Sequence, residues 1–138
     1  MRAFWTEDEP TFHGRHYDFT AAKSYPRPVQ PGGPPIVIGG HTKAAARRAG
    51  RLGDGFFPAR ATPEELAELL KVMRQAAEEA GRDADAIEVT AGGALDVDGI
   101  KRYADLGVSR MILPPPGFDV AAVRDGLGRF ADDVMSKV

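Results

Sequence analysis

The strand-like run Ile36-Val37-Ile38 ends in Gly39-Gly40-His41-Thr42, and these four residues carry the clearest chemical signal in the chain. Two adjacent glycines let backbone approach a ligand closely, and Thr42 opens a helical pattern whose first amides have no intrahelical acceptor. An anion, and a phosphate above all, fits such a turn. The Thr42 hydroxyl can hydrogen-bond a phosphate oxygen, and a protonated His41 adds a charge-assisted contact. On residue types alone the plainer account stands level with this one: Gly39-Gly40 turns the chain and Thr42 caps a helix. No complete G-x-G-x-x-G follows the strand, so a dinucleotide fingerprint is not supported.

Arg60 falls two residues beyond a second strand-like run, where barrel enzymes place their chemistry. There it would meet an anionic substrate or a cofactor tail, or else be an exposed loop arginine. Thr90, at the end of a third run, is read in the same two ways. His13 and His16 have H-x-x-H spacing but no evident third ligand, so no metal site is expected. Trp5, Phe12, Tyr17 and Phe19 would line a substrate mouth or, more simply, pack. No Ser/His/Asp arrangement is recognisable. Asp96, Asp98, Asp132 and Asp133 sit where capping or solvation suffices, which argues against hydrolysis. No catalytic residue is assigned.

The elements that would position these residues follow from periodicity. Residues 1–34 are mostly loop, an acidic stretch followed by Pro26, Pro28, Pro31 and Pro34, with short strand pairing around Phe12 to Phe19. Residues 35–138 alternate short apolar runs with helical patterns. Strands are expected at Pro35 to Gly39, Gly55 to Pro58, Ile87 to Ala91 and Arg110 to Pro114. Helices are expected over Thr42 to Leu52, from Thr62 to about Ala80, over Val97 to Leu106 and from Val120. The first would bury Ala45, Ala46, Ala49 and Leu52 while Arg47, Arg48 and Arg51 face water. The second starts at Thr62-Pro63-Glu64-Glu65, which supplies an N-cap, an N1 proline and a capping-box glutamate. Its stripe is Leu66, Leu69, Leu70, Met73, Ala77 and Ala80. The stretches Arg48–Pro58 and Tyr103–Pro114 both read helix, Leu-Gly turn, strand, proline, an internal echo of one βα unit. Four such units imply an α/β fold with a parallel sheet and right-handed crossovers.

Bulk properties narrow the function. The chain has 138 residues, enough for one core but short of the roughly 250 of a complete (β/α)8 barrel. Its 18 basic and 20 acidic residues are intermixed, leaving no basic stripe for nucleic acid. It has no cysteine, which excludes disulfides, zinc-thiolate sites and a thiol nucleophile. No apolar run is long enough to span a membrane, and the first ten residues lack a signal peptide's apolar stretch, so the expectation is a soluble, cytoplasmic protein.

Phe12-His13-Gly14-Arg15-His16-Tyr17, Arg27-Pro28-Val29-Gln30-Pro31, Pro34-Pro35-Ile36-Val37-Ile38-Gly39-Gly40, Gly53-Asp54-Gly55-Phe56 and Ala80-Gly81-Arg82-Asp83 occur in the order found in luciferase-like monooxygenases. The chain resembles the C-terminal half of that family. The resemblance implies a (β/α)8 barrel, of which this chain supplies strands five to eight and the preceding insertion arm. It favours the phosphate reading of Gly39, Gly40, His41 and Thr42. It also implies FMN or the deazaflavin coenzyme F-420 as cofactor, with Pro-Pro-Ile-Val-Ile-Gly-Gly and Gly-Asp-Gly-Phe-Phe closer to the deazaflavin-using branch. The chemistry would be oxygen insertion or hydride transfer on a small organic substrate, with the cofactor doing the hard step.

Four parallel strands leave two edges and an apolar concave face to be covered. One reading is an oxidoreductase completed by a second copy, as a homodimer, or by a separate N-terminal half barrel. A second is a non-catalytic half-barrel module, a truncated relic that retains a phosphate site. A third is a flavodoxin-like sheet with helices on both faces.

Overall fold

In a computed structural model, which describes residues 1–94 and 96–138, the chain forms two compact units, Met1–Pro35 and Ile36–Val138. In the first unit a short helix, α1 (Arg2–Thr6), precedes an antiparallel pair, β1 (Phe12–His13) with β2 (Asp18–Phe19). The strand pairing is the one expected, whereas α1 interrupts a stretch read as loop. Aromatic contacts hold this unit: Phe19 lies 4.8 Å from Phe4 and 6.0 Å from Phe12, centroid to centroid. Trp5 packs against Gly33, where a Cβ would fall 2.1 Å from its ring. The acidic stretch is matched by basic partners, Arg27 on Asp8 and Lys23 on Glu9. Tyr17 stays exposed.

The second unit reads β3 (Val37–Gly39), α2 (Lys43–Leu52), β4 (Gly55–Phe57), α3 (Pro63–Glu79), β5 (Glu88–Gly92), α4 (Val97–Asp105), β6 (Val108–Ile112) and α5 (Val120–Asp133). A single 3-10 turn, Met135–Lys137, follows. The strands lie in the order β3-β4-β5-β6, every neighbour parallel. Right-handed crossovers that always advance one strand place successive helices on the same face. A doubly wound sheet needs a point where the order reverses, so the flavodoxin-like reading is excluded. The unit is half of a (β/α)8 barrel.

Ile38, Phe56, Val89, Ala91 and Met111 point to the helices. The core they enter is closed by Leu66, Leu70 and Met73, each at most 2% exposed. Truncating one such side chain to alanine would cost about 2–5 kcal/mol. The capping box at Thr62 is complete, with Thr62 accepting from the Glu65 amide and Glu65 accepting from the Thr62 amide.

Two helix faces differ from expectation. Leu52 is 65% exposed, and Gly50 is buried in its place. Burying Ala46 and Gly50 centres the inner face of α2 about 90° away from Leu52 at 100° per residue. The contact with α3 is so close that a Cβ on Gly50 would lie 2.2 Å from the Met73 carbonyl oxygen. Ala80 is an exposed C-cap, and Ala76 fills the stripe instead. The fourth strand begins two residues earlier than expected. A bulge opposite Val89 and Thr90 inserts Ser109, whose hydroxyl donates to the Val89 carbonyl at 3.3 Å. Beyond Ile112, Pro114 to Pro116 have no N–H to continue the ladder.

The internal echo holds for element order but not for its glycines. Gly107 closes α4 with φ +90, whereas Gly53 is extended at φ −83. Gly53 is small for a different reason: a Cβ would lie 3.0 Å from both the Ile38 side chain and the Gly55 carbonyl.

Candidate functional site

The loops that follow β3, β4 and β5 sit at the C-terminal ends of the strands, the rim where barrels of this architecture carry function. After β3 the chain turns through Gly39 and Gly40 into α2. Gly40 takes φ +120, its N–H donates to the Phe57 carbonyl at 3.2 Å, and a Cβ there would sit 3.1 Å from that of Ala45. Gly40 is thus required by conformation and by packing together. Gly39 is required by neither, because a Cβ on it would meet nothing within 4 Å. That side of Gly39 is open.

Thr42 is the N-cap of α2, its hydroxyl oxygen accepting from the Ala45 amide at 3.2 Å. The hydroxyl proton remains available to an acceptor beyond the helix end. The amides of Lys43 and Ala44 have no acceptor within the helix. Helix α3 begins with Glu64 and Glu65, and α4 has Asp98 in its first turn, as the helix dipole favours. Helix α2 has no acid in its first turn and begins with Lys43. The dipole at this helix start is therefore not matched by an acid in its own first turn.

The turn after β4 brings Arg60 toward this helix start. His41, Lys43 and Arg60 line one cleft of about 490 Å³ together with Glu65, Glu68 and Leu69. Lys71 holds the Glu68 carboxyl below the usual carboxylate range, through a 2.6 Å hydrogen bond and its charge, and Lys43 adds a smaller pull. Arg60 also borders a neighbouring cavity of about 420 Å³, lined by Arg102, Tyr103 and the Gly92–Gly93 turn among others. The buried Tyr103 hydroxyl donates to the Ala61 carbonyl at 2.9 Å and so pins the loop that carries Arg60. Burial, and secondarily the charge of Glu64, push the Tyr103 phenol above its ordinary value.

Of the residues singled out in the sequence, the structure therefore gathers Gly39, Gly40, His41 and Thr42 in one turn and brings Arg60 to a cleft shared with His41. Thr90 is not part of this group: it is the middle residue of β5, 4% exposed, and lines none of the described cavities. Lys43 was missed. A lysine at the first position of a helix, where acids are the norm, is the signal that would have found it. His13 pairs with Asp18 at 3.1 Å, and no group of three potential metal ligands occurs among the described residues. Asp96 caps α4 by accepting from the Gly99 amide at 2.7 Å. No helix among the described residues is long and apolar enough to cross a membrane.

A sequence model of the family described as luciferase-like monooxygenase matches residues 1–99. An uncharacterised protein of Mycobacterium tuberculosis (strain ATCC 25618 / H37Rv) is 36% identical over 151 residues, which cover 100% of this chain and 50% of the relative. An F420-dependent glucose-6-phosphate dehydrogenase of Mycolicibacterium fortuitum is 38% identical over 90 residues, 64% of this chain and 26% of that enzyme. Among solved structures, the coenzyme F420 dependent tetrahydromethanopterin reductase of Methanopyrus kandleri superposes with a TM-score of 0.79 at 14% identity, covering 98% of this chain and 60% of that one. An F420-dependent secondary alcohol dehydrogenase, solved with an F420-acetone adduct, gives a TM-score of 0.80 at 17% identity over 99% of this chain and 58% of its own. At these identities the two structures speak to the fold alone. The chain spans about half the length of the first of these relatives.

Proposed function

This chain belongs to the luciferase-like monooxygenase family, and we propose that it is the cofactor-phosphate half of a flavin- or deazaflavin-dependent oxidoreductase acting on a small organic substrate. The observation that carries the reading is the turn into α2, with open space over Gly39, a left-handed Gly40, the Thr42 hydroxyl and two amides without a helical acceptor. The phosphate would be held by those amides and by Thr42, with His41 beside it. Arg60 would meet a second acidic group. The cofactor supplies the hydride exchange or oxygen activation, and this chain binds and orients it. We favour the deazaflavin, because relatives 38% and 37% identical to this chain over 90 residues are named as F420-dependent.

The reading requires a second half barrel. β3 and β6 are the outer strands of the sheet, and Val37 and Ile112 on them are 49% and 48% exposed. A second copy of the chain, or an N-terminal half barrel from another segment, would cover both edges. Substrate groups are expected on that other half. A non-catalytic half-barrel module that retains the phosphate site is the second reading.

Binding is tested by titrating FMN and the deazaflavin into the protein while its mass is followed by light scattering. Gly40→Val should weaken binding of either cofactor, and it should also lower thermal stability, because Gly40 takes φ +120 and packs on Ala45. Unchanged affinity in that variant would remove the site assignment. A protein that binds neither cofactor, alone or mixed with an N-terminal half barrel, would leave the non-catalytic reading.

A further inference from the structure

The half barrel ends on two different helices, α2 beside the outer strand β3 and α5 beside the outer strand β6. On α2, Gly50 meets α3 and Ala46 is buried on the same side, while Ala45 turns to Gly40 at the end of β3. A further step of about 100° brings round Ala44, Arg48 and Leu52, on the flank turned away from α3. All three are exposed, Leu52 by 65%. Arg51, also exposed, borders this flank on the solvent side. Nothing within the second unit balances the two arginines. Helix α2 contains no acid, α3 and its carboxylates lie on the opposite side, and Asp54, the nearest acid in sequence, accepts the Ile36 amide at 2.8 Å. Among the described residues neither Arg48 nor Arg51 makes an ion pair or a side-chain hydrogen bond.

On α5, Val120, Arg124, Leu127 and Ala131 share one exposed face, with Val120 86% and Leu127 55% exposed. Asp125, Asp132 and Asp133 lie roughly 120–140° round the helix from it. In a barrel closed by two copies, each β3 pairs with the other copy's β6, so α2 comes to lie beside the other copy's α5. That helix offers Arg48 and Arg51 apolar surface and a further arginine, and its Asp125 is already in contact with Arg124 at 3.4 Å. The mismatch would recur at both joins. We propose that the α2 flank instead docks a helix from a half barrel of different sequence, which presents carboxylates to Arg48 and Arg51 around an apolar contact with Ala44 and Leu52. The inference rests on the half-barrel reading and chooses between its two partners. The match to the Mycobacterium tuberculosis relative takes up 50% of that protein, so its other half is long enough to supply the missing βα units. Charge at this flank would favour that partner over a second copy and make the contact sensitive to salt.

The test co-expresses the full chain with the half of the Mycobacterium tuberculosis relative that it does not match, and follows mass by light scattering against the chain alone at a series of concentrations. The chain alone should remain monomeric. The pair should form a one-to-one complex whose affinity falls as salt is added. Arg48→Gln with Arg51→Gln should weaken the complex about tenfold and leave the melting temperature of the chain alone nearly unchanged, because both side chains are exposed. Arg48→Lys with Arg51→Lys should keep most of the affinity, since the partner reads charge at this flank. A dimer of the chain alone would overturn the proposal and leave the half-barrel reading standing. So would a complex indifferent to salt and to both arginines. A chain that stays monomeric and forms no complex with that half would sink the half-barrel reading, and the proposal with it.

Discussion

The two ends of the half barrel use charged residues in opposite ways. At the end where the strands begin, ionic groups are spent on the fold. The Asp54 carboxylate accepts the Ile36 amide at 2.8 Å, and its backbone carbonyl accepts the Glu88 amide at 3.0 Å, so one residue ties β3, β4 and β5 together. Arg82 reaches back from the loop after α3 and donates to the carbonyls of Ala49, Gly50 and Gly53, capping the C-terminal end of α2. Glu88 and Arg110 pair at 2.7 Å. At the end where the strands finish, His41, Lys43 and Arg60 surround a cleft and have no such partners among the described residues. The same residue types that are structural at one end are free at the other.

Substitutions at the two ends should therefore separate stability from binding. The largest expected effect on folding is at Arg82. Arg82→Ala leaves the last carbonyls of α2 without their cationic donor and should cost about 1.5–3 kcal/mol. That is a fall in melting temperature on the order of 5–10 °C. Phosphate affinity measured below the transition should not change. A loss of affinity that tracks the loss of stability would mean that the two ends are coupled and the division drawn here is wrong. Next in size is Gly39→Ala. With open space around the new methyl group, thermal stability should stay within about 0.5 kcal/mol of the parent. Cofactor affinity should fall about tenfold, because the methyl group occupies the line of approach to the backbone. A variant that binds as the parent does would place the ligand elsewhere on the rim.

How much of this was legible in the sequence depended on the range of the interaction. Thr62-Pro63-Glu64-Glu65 announces a helix start through contacts three residues apart, and α3 begins there. The order of the βα units, and with it the rim, came from periodicity that each segment carries by itself. Leu52 and Ala80 were misplaced because the face a helix buries is decided by its neighbours, here by the close approach of Gly50 to Met73. The limits of β6 depend on a bulge that only pairing reveals. Ala80-Gly81-Arg82-Asp83 stood out as a motif, but its purpose did not. Arg82 works on carbonyls 29 to 33 residues away. In the site, Gly39 to Thr42 form a contiguous signal, whereas the meeting of Arg60 with Lys43 needs two loops to converge. Thr90 misled because its place near the end of an apolar run resembles a rim position, although β5 continues to Gly92.

The smallest effect separates the rim's own scaffolding from its binding groups. Tyr103 lies on α4, away from the α2 turn, and its hydroxyl donates to Ala61, next to Arg60. Tyr103→Phe should cost about 1 kcal/mol at neutral pH, the worth of one buried hydrogen bond. Burial raises the phenol pKa above its ordinary 10.0, so the folded chain keeps its proton where the unfolded chain loses it. The Tyr103 contribution is therefore complete below pH 10 and is lost as pH rises through the raised value. Melting temperatures of the parent and of Tyr103→Phe should differ by a constant amount up to about pH 10 and converge above it. A difference that persists unchanged into strong alkali would mean that the hydroxyl does not hold Ala61, and that Arg60 is positioned by the α3 capping box alone.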